Sequence, residues 1–345
     1  MSWHELELLA RGGTLSLLAL WSWLLWRDHR TMLAARLAIA MNLGIACYVI
    51  ITVSWAAQLD EPSLVLALLA RSTPALFWLF ARTWFNDRTR LARTDLLIVA
   101  LWIANAALLH FTHATQPPVF FISAIMFRIG MLLFGLAGLW EAWRGREGDL
   151  IEGRRRLRLG VVVAVGLYVL TIGFAEMAVY NAHAPAAIIA VIGSSTVVIT
   201  LATCAAMFAL RPSDLFGAPV AAAAAPTQRP DRDDPLALRL TRFMETDMPH
   251  RDERLTIAAL AQRLGEQEYR LRRVINGSLG HRNFAQFLNA YRLAEVKAAL
   301  ADPAQREVPI LTIALDAGFG SLGPFNRAFR EAEHMTPSEF RAQAA

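Results

Sequence analysis

Arginine carries most of the chemistry this chain could do. Of its 34 basic residues only Lys297 is a lysine. One arginine-rich run is Tyr269-Arg270-Leu271-Arg272-Arg273, followed by Arg282. A guanidinium presents five donors in a rigid fork, which fits phosphate oxygens and the O6 and N7 atoms of guanine. A second set, Arg71, Arg128 and Glu176, lies inside long apolar runs. An ionisable group at the centre of a bilayer costs about 2.5–3.5 kcal/mol, so each calls for a partner or a ligand. A shared pocket for an anionic group is one reading; an Arg–Glu pair that fixes helix packing is the other. His110 and His113 are three apart on one helix face, and His4 and His183 fall toward the same expected side of a bilayer. Such histidines could sense a metal or pH, but ordinary interfacial histidines are the simpler reading, and no metal site is assigned.

Catalytic spacings are missing from the sequence. There is no H-E-x-x-H, no G-x-S-x-G and no phosphate-binding G-x-x-x-x-G-K. Gly318-Phe-Gly-Ser-Leu-Gly323 spells the dinucleotide fingerprint. That fingerprint needs a preceding strand, whereas here a helical pattern precedes it. The single lysine leaves no apolar run with a Schiff-base amine. Cys47 and Cys204 both sit in apolar runs, which argues against a disulfide framework. The chain is therefore not expected to be an enzyme or to need a cofactor.

These residues must be positioned by two very different halves. The 345 residues are 55% hydrophobic and 18% charged, with a net charge of +5. That composition excludes a disordered chain, a collagen and a small disulfide scaffold. The long apolar runs crowd into residues 1–210. Seven of them reach the roughly 20 residues that a spanning helix needs: 6–26, 36–57, 62–83, 95–113, 118–142, 159–180 and 185–210. Alternate loops carry 13 arginines on one side, from Arg27 to Arg158, and Arg11 alone on the other. The positive-inside bias then places the N-terminus outside and the C-terminal region in the cytoplasm. An acidic start, Met-Ser-Trp-His-Glu-Leu-Glu, favours a retained first helix over a cleaved signal peptide. Residues 211–235 are rich in Pro and Ala and read as a flexible linker.

Beyond the linker the pattern becomes that of a soluble domain. Asp234-Pro235 opens a helix with Leu236, Leu240, Phe243 and Met244 on one face. Leu255–Gly265 is a short amphipathic helix ending in glycine, and a second helix follows from about Gln267 to Asn276. Helix, tight turn, helix is a helix-turn-helix pattern. It then repeats: Ala261 and Gly265 match Ala314 and Gly318, while Leu271, Arg273 and Ile275 match Phe325, Arg327 and Phe329. One long helical stretch, Phe284–Leu300, joins the two units.

The stretch Leu255–Arg341 resembles the DNA-binding domain of AraC/XylS-type transcription regulators. The likeness is carried by Leu271-Arg-Arg with Gly280 and Phe284, then by Tyr291-Arg-Leu-Ala-Glu-Val-Lys297. It continues through Ile313-Ala-Leu-Asp-Ala-Gly-Phe319, Phe325-Asn-Arg-Ala-Phe329 and Thr336-Pro-Ser-Glu-Phe-Arg341. It departs at Glu333 and His334, where the family usually has an aromatic and then glycine. It departs again at Leu322-Gly323-Pro324, where polar residues are commoner. The resemblance implies base contacts from Tyr269, Arg272 and Arg273 in the first unit. In the second it implies contacts from Leu322, Gly323, Pro324, Asn326 and Arg327. Arg270 and Arg282 are expected to meet phosphates.

The expectation is an all-α chain, a seven-transmembrane-helix bundle followed by a two-unit helix-turn-helix domain. Residues 1–210 would form a membrane sensor, 211–235 the linker and 236–345 the DNA-binding domain. The function expected is that of a bacterial inner-membrane transcription regulator. Its partners would be double-stranded DNA, the lipid bilayer and an unidentified small-molecule or envelope signal, with a homodimer compatible with the design. The rival readings are a helix-turn-helix module that docks a protein, and a transporter with a regulatory tail.

Overall fold

The computed structural model describes residues 3–56, 63–86, 90–112, 117–144, 148–150 and 235–344, with a few positions between 160 and 202. Every regular element among them is helical. The chain divides into two compact units. One is built on residues 1–147, and the other joins residues 148–152 to those from 226 onward.

Five helices of the first unit are long and apolar enough to cross a bilayer. They are α1 (Trp3–His29), α2 (Leu33–Ala56), α3 (Leu64–Phe85), α4 (Arg93–Thr112) and α5 (Pro117–Arg144). Most of the sixth and seventh expected spans, including Glu176 and His183, lies outside the described residues, as do His113 and the expected linker before Pro235. The count of seven therefore reduces here to five described apolar helices. Helix α3 is the centre of the packing, with most of its side chains from Ala75 to Phe85 buried. Its Trp78, Phe80 and Trp84 form a core with Trp102 of α4 and Phe134 of α5. Close approach is set by glycine: the space beside Gly130 is filled by the Trp102 ring and that beside Gly138 by Phe77. On α4 and α5 the opposite faces leave Leu97, Leu101, Leu133, Leu136 and Trp140 exposed. Outward apolar side chains of this kind suit a lipid surround rather than water.

Several polar groups inside this unit bond to backbone, and others to one another. Arg11 Nη1 donates to Val49 O at 2.9 Å. Arg71 Nη1 donates to Ala106 O at 3.3 Å, and Trp102 Nε1 donates to Arg71 O at 3.0 Å. Ser123 Oγ donates to Asn105 Oδ1 at 3.0 Å. Such bonds satisfy groups that a hydrocarbon surround would leave costly. Arg71 thus joins α3 to α4. Its expected neighbour Arg128 lies on α5, partly buried and engaged.

The second unit holds α6 (Pro235–Thr246), α7 (Ile257–Leu264), α8 (Glu268–Gly277), α9 (Phe284–Ala301), α10 (Ile310–Asp316), α11 (Leu322–Glu333) and α12 (Pro337–Ala344). Helix α9 is shared between two cores. Its Phe284, Phe287 and Leu288 enter a cluster with Leu240, Leu260, Leu271 and Ile275. Its Leu293, Val296 and Leu300 enter another with Ile313, Ala314, Phe325 and Phe329. Asn283 caps it by accepting from Gln286 N at 2.7 Å.

Candidate nucleic-acid interface

Each half of the C-terminal unit builds the same device. In the first, Thr256 caps α7 by accepting from Ala259 N, and Gly265 closes it at φ 65°. A left-handed φ at this place is nearly free only for glycine. The chain turns within three residues into α8. Leu271 and Ile275 are fully buried, so the face between them and the solvent is fixed by core packing. In the second, Gly318 at φ 95° plays the part of Gly265, and Phe325 and Phe329 play those of Leu271 and Ile275. Phe319, Phe325, Phe329 and Phe340 stack edge to face at centroid spacings of 5.2, 5.7 and 5.5 Å.

Helices α8 and α11 are the second helices of the two units, and they carry the expected contact residues. Tyr269, Arg270 and Arg273 are exposed on α8. Leu322, Gly323, Pro324 and Arg327 are exposed on α11, with Asn326 half-buried. Arg282 is half-buried in the loop before α9. Arg270 Nη1 pairs with Glu266 at 3.0 Å across one helical turn. Arg270 is exposed and can exchange the pair for solvent at little cost, while Glu266 keeps a second partner in Arg239 at 3.0 Å.

Arg272 differs from these neighbours. Its side chain turns inward and is only 7% exposed. It pairs with Glu268 one turn back on α8, and its Nη1 donates to Asp149 O at 2.6 Å. Asp149 lies 123 residues earlier in the chain, in a short segment that the sequence places with the membrane half. The packing places that segment with the C-terminal unit instead, because Leu150 is buried among Leu236, Leu271 and Phe284.

Arg292 of α9 ties the loop before α7 to the second helix-turn-helix. Nε donates to His250 O at 2.7 Å and Nη2 to Asp252 O at 2.9 Å. Its guanidinium also lies 5.7 Å from the centroid of the Phe319 ring. Burial pulls its pKa below the usual arginine value, opposed by Asp252 and Glu253. Next to it, burial pushes the Glu295 carboxyl upward, but hydrogen bonds from Arg251 and His250 outweigh that and hold it below the usual range. These bonds are 2.9 Å to Arg251 Nε and 2.8 Å to His250 Nε2.

His334 closes α11 in the left-handed region at φ 59°. This is the position at which the resemblance leads one to expect glycine. A non-glycine residue there costs about 1 kcal/mol. His334→Gly is therefore expected to raise the stability of the C-terminal unit by about 1 kcal/mol, read as a higher urea midpoint. An unchanged or lower midpoint would show that the imidazole contributes more than the strain removes.

A family profile described as a helix-turn-helix domain matches residues 260–343. The regulatory protein SoxS of Salmonella typhimurium is 30% identical over 92 residues, which are 27% of this chain and 82% of SoxS. The probable transcription factor PqrA of Proteus vulgaris is 28% identical over 102 residues, 30% of this chain and 80% of PqrA. An uncharacterized HTH-type transcriptional regulator of Staphylococcus aureus strain N315 is 34% identical over 92 residues. The matched stretch spans only 12% of the length of that regulator. No solved structure matches the chain. The class defined by the paired units is that of AraC-type helix-turn-helix proteins. Through its C-terminal domain the chain belongs to this family.

Proposed function

We propose that the protein is a membrane-anchored transcription regulator that reads specific DNA through α8 and α11. The observation that carries this reading is the repetition itself. Two buried-face helices, each set by a left-handed glycine, present Arg273 and Arg327 at matching positions of one compact unit. Recognition helices of this kind enter successive major-groove faces about one helical turn (~34 Å) apart. Arg273 and Arg327 would read guanine, Asn326 adenine, and Leu322 a thymine methyl; Tyr269 would meet a base edge, and Arg270 and Arg282 phosphates. Gly323 and Pro324 would bring the start of α11 close to the groove floor.

The apolar half anchors the chain in a bacterial inner membrane, with the DNA-binding domain in the cytoplasm. The 13-to-1 arginine bias of the loops supports this orientation. Arg71 and Arg128 are the groups to which an anionic ligand or envelope signal would bind, in a polar pocket shared with Glu176. A homodimer would double the DNA contact.

The test is selection of duplexes from a randomised library by the full chain in detergent, beside Arg273→Ala. A guanine contact of the bidentate kind contributes about 1–3 kcal/mol. Arg273→Ala is thus expected to weaken the selected site about 10- to 100-fold while leaving binding to unrelated DNA nearly unchanged. Equal weakening on all sequences would make Arg273 a phosphate contact, and failure to select any duplex would end the DNA reading.

A further inference from the structure

The segment Gly148–Leu150 does more than fill a gap in the C-terminal core. It runs as a short antiparallel strap along the residues that lead into α9. Phe284 N donates to Gly148 O at 2.8 Å and Leu150 N donates to Arg282 O at 3.3 Å. Between these bonds Asp149 faces Asn283. The third residue to grip the strap is Arg272, through Asp149 O. Leu150 is 4% exposed and Asp149 1%. Both Arg272 and Arg282 are among the residues expected to meet DNA; Arg272 holds the strap with its guanidinium, Arg282 with its backbone carbonyl.

The covalent setting matters as much as the contacts. Only residues 145–147 separate the strap from α5, whereas more than eighty separate it from α6. Three residues cannot absorb much displacement, since an extended chain spans at most about 3.3–3.6 Å per residue. A shift at the end of α5 is therefore felt by the strap, while a long linker would lose it.

We propose that Gly148–Leu150 is an autoinhibitory strap, which withholds Arg272 from DNA until movement in the apolar half pulls it free. The inference rests on the DNA-reading function proposed above. Docked, the strap buries Arg272 and uses the backbone of Arg282. Released, it returns a guanidinium fork to the exposed face of α8, beside Arg273. Binding then scales with the fraction of molecules in which the strap is off.

The strap can be locked in place. The two flanking bonds make Asp149 and Asn283 a non-hydrogen-bonded antiparallel pair, with Cα atoms about 4.5 Å apart. That spacing accommodates a disulfide. The protein to use is the full chain in nanodiscs, carrying Asp149→Cys and Asn283→Cys, with Cys47 and Cys204 replaced by Ser. The probe is a duplex selected from a randomised library on the reduced form. The oxidised form is expected to bind that duplex at least 10-fold more weakly than the reduced form, with dithiothreitol restoring the affinity. Comparing two redox states of one protein cancels any folding defect from the substitutions. Equal affinity in the two states overturns the strap and leaves DNA binding intact. If no duplex is bound in either state, the DNA reading falls and the strap with it.

Discussion

Gly318→Ala is expected to cost the C-terminal unit about 2–4 kcal/mol, whereas Gly265→Ala, at the equivalent turn, costs only about 1 kcal/mol. Both glycines have a left-handed φ, 95° and 65°. The difference lies in what surrounds them. Around Gly265 a Cβ meets nothing within 4 Å, so only backbone strain is added. At Gly318 it would lie 2.8 Å from both Cα and O of Arg251 and closer still to His250 O. Those atoms are backbone, and Arg292 holds the two carbonyls on either side of Arg251. Neither side can retreat, so overpacking of about 1–3 kcal/mol adds to the strain. Domains are stable by only about 5–15 kcal/mol, and such a loss takes much of that. Pulse proteolysis of the full chain in urea would measure both variants; equal losses at the two glycines would refute the argument.

Arg292→Ala is expected to be comparably damaging, at about 3–4 kcal/mol. Two charge-assisted bonds disappear, and the carbonyls of His250 and Asp252 are left without their guanidinium. The contact of its guanidinium with the Phe319 ring goes as well. Arg292→Lys should recover less than half, because one ammonium cannot reproduce the fork. With a urea dependence of about 1–3 kcal/mol/M, the alanine variant should lower the midpoint by about 1–3 M. A shift under 0.5 M, roughly what surface substitutions give, would mean that α9 holds the loop before α7 to the second helix-turn-helix without Arg292.

Much of this architecture is legible in the residues. The apolar runs predict α2 at 36–57 and α3 at 62–83, and the helices observed are Leu33–Ala56 and Leu64–Phe85. Uninterrupted apolar stretches bounded by arginine leave few alternatives. The repeat is legible for a similar reason. Gly265 and Gly318 mark turns that only glycine takes easily, and the buried pairs Leu271/Ile275 and Phe325/Phe329 follow from helical spacing. The exposure of Tyr269 and Arg273 is set by the same geometry.

Arg272 and Leu150 are not legible in that way. Helical spacing gives Arg272 a place on α8, but its inward turn depends on a carbonyl 123 residues away. Leu150, which with Ile151 forms only an apolar pair between Asp149 and Glu152, carries no periodicity that could assign it to a core. The role of Arg292 is hidden similarly: its stretch resembles the family, but the two loop carbonyls it grips become visible only once α9 is placed. His334 shows the opposite case. The sequence marks the departure from glycine, and the structure shows that the left-handed turn is kept regardless.

The strap also bears on how the chain is made. Leu150 leaves the ribosome 121 residues ahead of Leu271, against which it packs. At about 5–20 residues per second, roughly 6–25 s pass before its binding groove exists. Through that interval the strap waits beside the growing apolar half, and the C-terminal core closes only when synthesis is nearly done. A fragment beginning at Pro235 never receives this piece, so the domain expressed alone would differ from the one finished on the membrane.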